Sequence, residues 1–330
     1  MRLEDEFNYN NITIKDLVES HHEYQKDKVK ATTLQNYSRL KKFIKPIENI
    51  RVDELNIRHF EMWKKSINQN NFSTRYKNTI YKYLKAVMNY GSRYYEINFN
   101  SIYNKMTNFN NPNEIKKEMK FFTIDEFHKF LAVEDDFKYK CLFQTLFYCG
   151  LRKGELRGLT WNDINFNRGT LSVNKNIVCV KDIKAGNNYT LTSPKTLSSY
   201  RTLPIPKFLL ESLDKLYLID SSFKNFNNEW YVFGNTHPIA NSTLMDRKKR
   251  NTELANVKNI RIHDFRHSCA SLLIDSGANI TLVAKYLGHS KIDETLNTYS
   301  HMYQNRLDTI IDIIERQNEK YEMDEKKLIQ

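Results

Sequence analysis

Arg261-Ile262-His263-Asp264-Phe265-Arg266-His267 runs into Ser268-Cys269-Ala270-Ser271-Leu272-Leu273-Ile274, an apolar helical stretch that ends at Gly277. Spacing of three sets His263 and Arg266 on one face of the expected helix, beside a terminus whose N–H groups already favour an anion. The pair suits a phosphate. His263 and His267, at i and i+4, also have the spacing of two zinc ligands. A metalloprotease helix, however, carries Glu directly after its first His, whereas Asp264 is a methylene shorter and Arg266 places a cation beside the metal.

Two further segments put cations where simple helix packing has no need of them. In Cys149-Gly150-Leu151-Arg152-Lys153-Gly154-Glu155-Leu156, Arg152 lies in a Gly-flanked turn between two apolar helices. An arginine there is costly unless its planar fork finds an anion, and Glu155 can orient it from one turn away. The simpler reading is a structural Arg152–Glu155 ion pair. In Lys285-Tyr286-Leu287-Gly288-His289-Ser290, a helix ends at a Gly stop and leaves His289 just past it, while Ser290 and Asp293 resemble a capping box for the next helix. That helix carries Tyr299. Taken singly, His289 reads as a cap residue and Tyr299 as core.

Outward from these segments, 330 residues suggest two domains or three small ones, and 40% hydrophobic with 13% aromatic residues excludes a wholly disordered chain. Lys and Arg number 51 against 39 Asp and Glu, a net charge of +12 that favours a polyanionic partner. The excess is local. Residues 28–95 hold 15 Lys/Arg and 4 Asp/Glu, a net of +11. The same stretch has helical apolar spacing in Ile57-Phe60-Trp63-Ile67 and Ile80-Tyr83-Leu84-Val87, with Pro46 and Gly91 as its helix breakers. It reads as a small helical domain with basic outer faces, and Lys30, Arg39, Lys41, Lys42, Arg75, Lys77, Lys82 and Lys85 are its candidate contacts to a polyanion such as nucleic acid or an anionic membrane surface. A solvated set of lysines on an ordinary bundle is the alternative.

Residues 98–113 are Asn-rich and read as a linker running to about 120. Thr123 and Glu126 form a capping box that opens the second domain, and an apolar helix around Tyr139 to Cys149 stops at Gly150. Residues 170–180, 189–192 and 200–203 read as three short antiparallel strands, and Trp230 to Phe233 as one more extended piece. The expected fold is therefore mainly α with a small antiparallel β-sheet (α+β). Its parts are a basic helical domain over residues 1–97, a linker over 98–120, a catalytic domain over 121–303 and a terminal helix or tail over 304–330.

The N-terminal stretch MRLEDEFNYNN is acidic and polar, unlike a secretory signal, and no run approaches the roughly 20 apolar residues that span a bilayer. Cys141, Cys149, Cys179 and Cys269 are scattered without a C-x-x-C pair, which suits small core residues in a reducing cytosol. A cytoplasmic chain with no membrane partner, no disulfide framework and no metal is expected.

Together, Arg152 in a G-L-R-x-G-E-L setting, His263-x-x-Arg266, Leu287-Gly288-His289 and Tyr299 ten residues later resemble the tyrosine recombinase/integrase family. Ser193-Pro194-Lys195-Thr196, followed by Tyr200-Arg201-Thr202-Leu203-Pro204, is similar to that family's β-hairpin, with Lys195 as its catalytic lysine. All six family positions match. The resemblance covers residues 120–303 by motif, and the basic segment before them resembles the family's core-binding domain by position and charge. The wording G-L-R-K-G-E-L-R-G-L-T-W, S-P-K-T and H-D-F-R-H-S is nearest to integrases of Gram-positive phages and integrative elements. Many of these begin with an additional arm-site-binding domain, while here only about ten residues precede the helix expected near Ile14 to Tyr24. Either a shorter architecture or the removal of an N-terminal part is expected.

The resemblance implies a chemistry that these residue types can perform. A phosphodiester resists attack because its oxygens repel nucleophiles and its 5′ alkoxide leaves poorly. Arg152 and Arg266 can clamp the non-bridging oxygens and neutralise the charge that grows on them, so no metal or other cofactor is called for. A phenol is only about one part in a thousand ionised at pH 7, so Tyr299 as nucleophile needs the adjacent cations and His263 as base or hydrogen-bond acceptor. By the same resemblance Lys195 protonates the departing 5′ oxygen and His289 donates to a non-bridging oxygen. The implied product is a 3′-phosphotyrosyl link that another strand's 5′-hydroxyl can reverse without ATP. The implied partners are double-stranded DNA at attachment-site cores, gripped by both domains, a homo-tetramer on synapsed DNA, and an accessory DNA-bending or directionality factor. The tail from Arg306, with Ile310, Ile311, Ile313 and Ile314, is the implied protomer contact, unless it folds back in cis. A type IB topoisomerase-like nicking–closing enzyme and a non-catalytic DNA-binding regulator are the alternatives. A pure binder has no use for Tyr299.

Overall fold

The computed structural model describes residues 11–114, 119–178, 189–192 and 200–299, together with 311, 314, 315 and 319. Contacts divide the chain into two compact units, Met1–Lys117 and Glu118–Gln330. Both are dominated by helices.

In the first unit, α1 (Ile14–Gln25) opens with a capping box between Thr13 and Asp16 and is followed by α2 (Ala31–Leu40) and a 3-10 turn, Lys41–Ile47, that contains Pro46. Then come α3 (Ile57–Asn68), capped by Asn56, α4 (Thr74–Tyr94), capped by Ser73, and the short α5 (Asn100–Tyr103). The expected apolar stripes face inward: Phe60, Trp63 and Ile67 of α3 share one core with Ile80, Leu84 and Val87 of α4, and the Trp63 indole N–H donates to the Phe43 carbonyl at 2.7 Å. Gly91 differs from expectation. It sits inside α4, where a Cβ would stand 2.8 Å from Leu17 Cδ2, so it serves close helix contact and does not stop the helix. The stretch read as linker also packs, since Phe99, Ile102, Met106 and Phe109 are buried in this core. Asn78 fastens it by accepting from the Phe109 N–H at 2.8 Å and donating to the Phe109 carbonyl at 3.0 Å. The boundary between units thus falls near the far end of that stretch.

The first unit also buries His21 on α1, whose ring lies among Tyr37, Tyr83 and Tyr90 and whose Nδ1 makes no hydrogen bond. Burial first, then His22 and Lys41, push its pKa down from 6.5 to about 4. The unfolded chain therefore takes up a proton that the folded chain refuses. Stability is intact above pH 6.5 and is lost as pH falls towards 4. Thermal denaturation followed against pH should show a loss of roughly 2–3 kcal/mol across that window. His21→Phe should flatten the slope, and an unchanged slope in that variant assigns the acid sensitivity elsewhere.

The second unit starts with α6 (Ile124–Ala132), which has the expected Thr123–Glu126 capping box, and α7 (Phe137–Tyr148). After α8 (Lys153–Gly158) come β1 (Ile164–Asn165), β2 (Thr170–Val173), β3 (Asn176–Val178), β4 (Thr190–Thr192) and β5 (Arg201–Pro204). The three runs read as one set of strands form two antiparallel sheets, ordered β1-β2-β5 and β3-β4, with Leu171 opposite Leu203 and Ile177 opposite Leu191. Trp230 to Phe233 is not a strand of either. Tyr231 makes only isolated bridges, to Thr160 and Asn235. Four helices complete the unit after α9 (Lys207–Ser221): α10 (Asn241–Leu254), α11 (Asp264–Asp275), α12 (Ile280–Leu287) and α13 (Ile292–Tyr299). Phe127 and Phe147 stack at 3.9 Å between centroids, and Phe265 of α11 lies among Phe122, Phe127, Phe130 and Phe143. That anchorage fixes the neighbouring Arg266.

Candidate active site

The α7–α8 turn is shaped by Gly150. Its φ of +58° is left-handed, and a Cβ there would stand 2.6 Å from Leu287 Cδ2, so only glycine lets the turn press on α12. The turn presents Arg152, the N-cap of α8. Its Nη1 donates to Glu155 Oε1 at 2.7 Å, its backbone N–H to Glu155 Oε2 at 3.0 Å, and its Nη2 to the Gly288 carbonyl at 3.3 Å. Glu155 is thus the orienting carboxylate expected for Arg152. It also has a second cation, because Arg201 of β5 donates from Nη2 to Glu155 Oε2 at 3.0 Å and from Nε to the Tyr286 carbonyl at 3.0 Å. Burial by itself would raise the Glu155 carboxyl, but Arg201 and Arg152 outweigh it and hold the group below its ordinary value.

Arg201 was not among the sequence candidates. Its signal was weak but present, since Arg201 shares a face of β5 with the buried Leu203, where an apolar residue is the norm. The backbone of α8 also touches the hairpin strand β3: a Cβ at Gly154 would lie 2.6 Å from the Ile177 carbonyl oxygen. Hairpin and arginine turn are therefore placed by one close contact.

Arg266 on α11 is 2% exposed. Its Nη1 donates to the Gly150 carbonyl at 3.0 Å, while its Nη2 is buried without a hydrogen-bond partner. Burial, then repulsion from Arg152, push this guanidinium down to about 9. A buried donor in that state is unsatisfied, and an anion is the partner that suits it. His263 is the N-cap residue of α11, one position before the helix in which it was expected. Partial enclosure lowers its pKa, as do Arg266, Arg152 and Arg261, against an opposing pull from Asp264. Asp264 itself is held by Arg261 at 2.8 Å.

Gly288, with φ +68°, closes α12 as expected and sets His289 beyond it. His289 Nδ1 lies 2.6 Å from Thr295 Oγ1, and burial followed by Arg266 and Arg152 pushes its pKa down to about 3. Tyr299 is 1% exposed and packs on Cys269, Ala270, Ile274, Val283 and Leu287. Burial raises its phenol well above the ordinary value, against the pull of Arg266. Its hydroxyl is 2.6 Å from Nδ1 of His267, one helical turn further along α11 than His263, the imidazole expected beside it. The two imidazoles meet edge to face at 5.1 Å, and His267 Nδ1 is occupied by the phenol.

Arg152, His263, Arg266 and His289 are therefore brought within one electrostatic neighbourhood, with Tyr299 reaching it through His267. Lys195 lies outside the described residues, as does the tail from Arg306 apart from 311, 314, 315 and 319; Ile311 and Ile314 are exposed. All eight candidate DNA-binding cations belong to the first unit. Lys30, Arg39, Lys42, Arg75, Lys82 and Lys85 are exposed, and Arg75, Lys82 and Lys85 follow one stripe of α4. Lys41 is engaged by Glu19 at 2.6 Å and Lys77 donates to Asn68 at 3.1 Å, so these two are already in use. No helix among the described residues is long and apolar enough to cross a membrane.

Residues 117–306 match the phage integrase family. The chain is 30% identical over 199 residues to the ICEBs1 integrase of Bacillus subtilis, covering 58% of this chain and 53% of that protein. It is 34% identical over 205 residues to a XerC-like tyrosine recombinase of Caldanaerobacter subterraneus, covering 57% and 52%. The chain thus spans about half the length of these two relatives. Among solved structures, the Tn1549 transposon integrase in complex with a circular intermediate DNA is similar at a TM-score of 0.74 and 20% identity, over 92% of this chain and 99% of that one. A lambda integrase tetramer bound to a Holliday junction is similar at 0.61 and 15%, over 86% and 79%. These two share the fold.

Proposed function

The chain belongs to the phage integrase family, and from that premise we propose that it is a site-specific DNA recombinase that cuts and rejoins strands through a 3′-phosphotyrosyl link, integrating or excising a mobile element. One observation carries the reading. The buried Arg266 guanidinium keeps one Nη unsatisfied beside Arg152, His263 and His289, the donor set that a tetrahedral phosphodiester would satisfy. Tyr299 is the nucleophile, Lys195 the acid for the leaving 5′ oxygen, and His289 a donor to a non-bridging oxygen. Glu155 keeps the Arg152 fork aligned.

Double-stranded DNA at attachment-site cores is the partner, with the exposed cations of α2 and α4 on its phosphates, so affinity should fall steeply with salt. Assembly as a tetramer on synapsed DNA, in the bacterial cytosol, is part of the same proposal and is supported by the lambda integrase tetramer on a Holliday junction. An accessory DNA-bending or directionality factor completes it.

The test is capture. The protein is incubated with a pool of duplexes whose core sequence is randomised and whose strands carry a nick, and adducts that survive detergent are recovered. Adducts linked through Tyr299 and formed equally in EDTA are expected. Linkage through another residue, or adducts that need a divalent cation, would overturn the proposal.

A further inference from the structure

We propose that His267 is the residue that takes the Tyr299 proton when the phenol attacks DNA. The inference rests on the reading of Tyr299 as nucleophile, and it replaces His263 in the role of base. Geometry carries it: the hydroxyl already lies 2.6 Å from His267 Nδ1, whereas His263 meets the same imidazole only by ring contact, at the exposed start of α11.

The groups facing His267 decide its resting state. From α11 and the residues just before it these are Arg261, His263, Asp264 and Arg266; from α13 it is Tyr299, and from the α12–α13 junction His289. Burial, then His263, Arg261 and Arg266 against Asp264, hold the imidazole down at about 4. His267 is neutral at pH 7, and in the tautomer this role requires, with the ring proton on Nε2, Nδ1 accepts from the phenol, which keeps its proton. A phosphodiester arriving on Arg152 and Arg266 adds negative charge that offsets the repulsion Arg266 exerts on an imidazolium. Substrate arrival therefore turns an acceptor into a base.

The step balances. The phenol O–H breaks and its proton passes to Nδ1; the phenol oxygen bonds phosphorus; the P–O5′ bond breaks, and the leaving oxygen takes a proton from Lys195. Ligation runs the same transfers backwards.

Two measurements test it, the first on the wild-type protein alone. The nitrogen spectrum of His267 at pH 7 should show an unprotonated, hydrogen-bonded Nδ1 that shifts in Tyr299→Phe. A proton on Nδ1 overturns the inference. The second is single-turnover adduct formation on a duplex recovered by the capture above. His267→Asn keeps an acceptor near the Nδ1 position but cannot hold a proton, and His267→Gln takes its place if the Asn chain does not fold. Adducts on Tyr299 should form about a hundredfold more slowly at pH 7. The deficit should narrow about tenfold per pH unit above that, because the phenol then ionises unaided. A deficit constant with pH makes His267 a positioning residue and overturns the inference. Adducts that persist in Tyr299→Phe defeat the nucleophile reading itself, whatever the His267 variants do.

Discussion

Tyr299→Phe is expected to eliminate covalent protein–DNA adducts altogether while leaving duplex affinity within about twofold of wild type. The substitution removes one oxygen and keeps the ring that packs on Cys269, Ile274, Val283 and Leu287, so the core beneath α13 should persist. What is lost is the donor to His267 Nδ1, a hydrogen bond whose removal costs about 1 kcal/mol. A small drop in Tm with a complete loss of adduct is therefore the signature of a nucleophile. A binding defect is not expected, because on the proposed reading phosphate affinity resides in the guanidiniums and in the exposed cations of α2 and α4. Gel-shift titration alongside adduct formation separates these outcomes. If the variant fails to bind DNA while Tm falls by many degrees, Tyr299 is a core residue and the nucleophile lies elsewhere.

Physical range determines which parts of this site the sequence discloses. Gly150 and Gly288 are legible as helix stops because a left-handed terminus is a local event, and Thr123 with Glu126 is a capping box within four residues. The motif around Arg152 and Glu155 is equally local. Arg201 was only faintly legible, since its carboxylate partner lies 46 positions away and only the register of β5 against β2 turns it inward. The choice between His263 and His267 depends on where α13 delivers Tyr299, 32 positions beyond His267. Both imidazoles carry the same local signal. Composition misled at residues 98–114: Asn-rich sequence reads as linker, but Asn78 recruits Phe109 from 31 positions away and buries it. Gly91 misled for the opposite reason, since a glycine within a helix is a breaker by propensity and a contact surface by packing.

The same long-range carboxylate sets the second large effect, which we expect from Glu155→Gln. Glu155 offers acceptors to both arginines, Oε1 to Arg152 at 2.7 Å and Oε2 to Arg201 at 3.0 Å. Glutamine has one acceptor oxygen, and its NH₂ must face whichever guanidinium is left, donor against donor. The side chain of Arg201 is 7% exposed, so the substitution takes a carboxylate away from a buried cation. Breaking such a pair from one side costs about 3–5 kcal/mol; the Arg152 partner is about a third exposed and adds less. Stability should therefore fall by several kcal/mol, and cleavage by a factor of about 10²–10³ as the Arg152 fork loses its alignment. The two effects are separable by Arg201→Gln on top of Glu155→Gln. Removing that buried cation as well should restore part of the lost stability yet leave cleavage low, because Arg152 still has no carboxylate to hold its fork. Recovery of cleavage along with stability in the double variant would mean that Gly288 alone aligns Arg152, and that Glu155 acts only through folding.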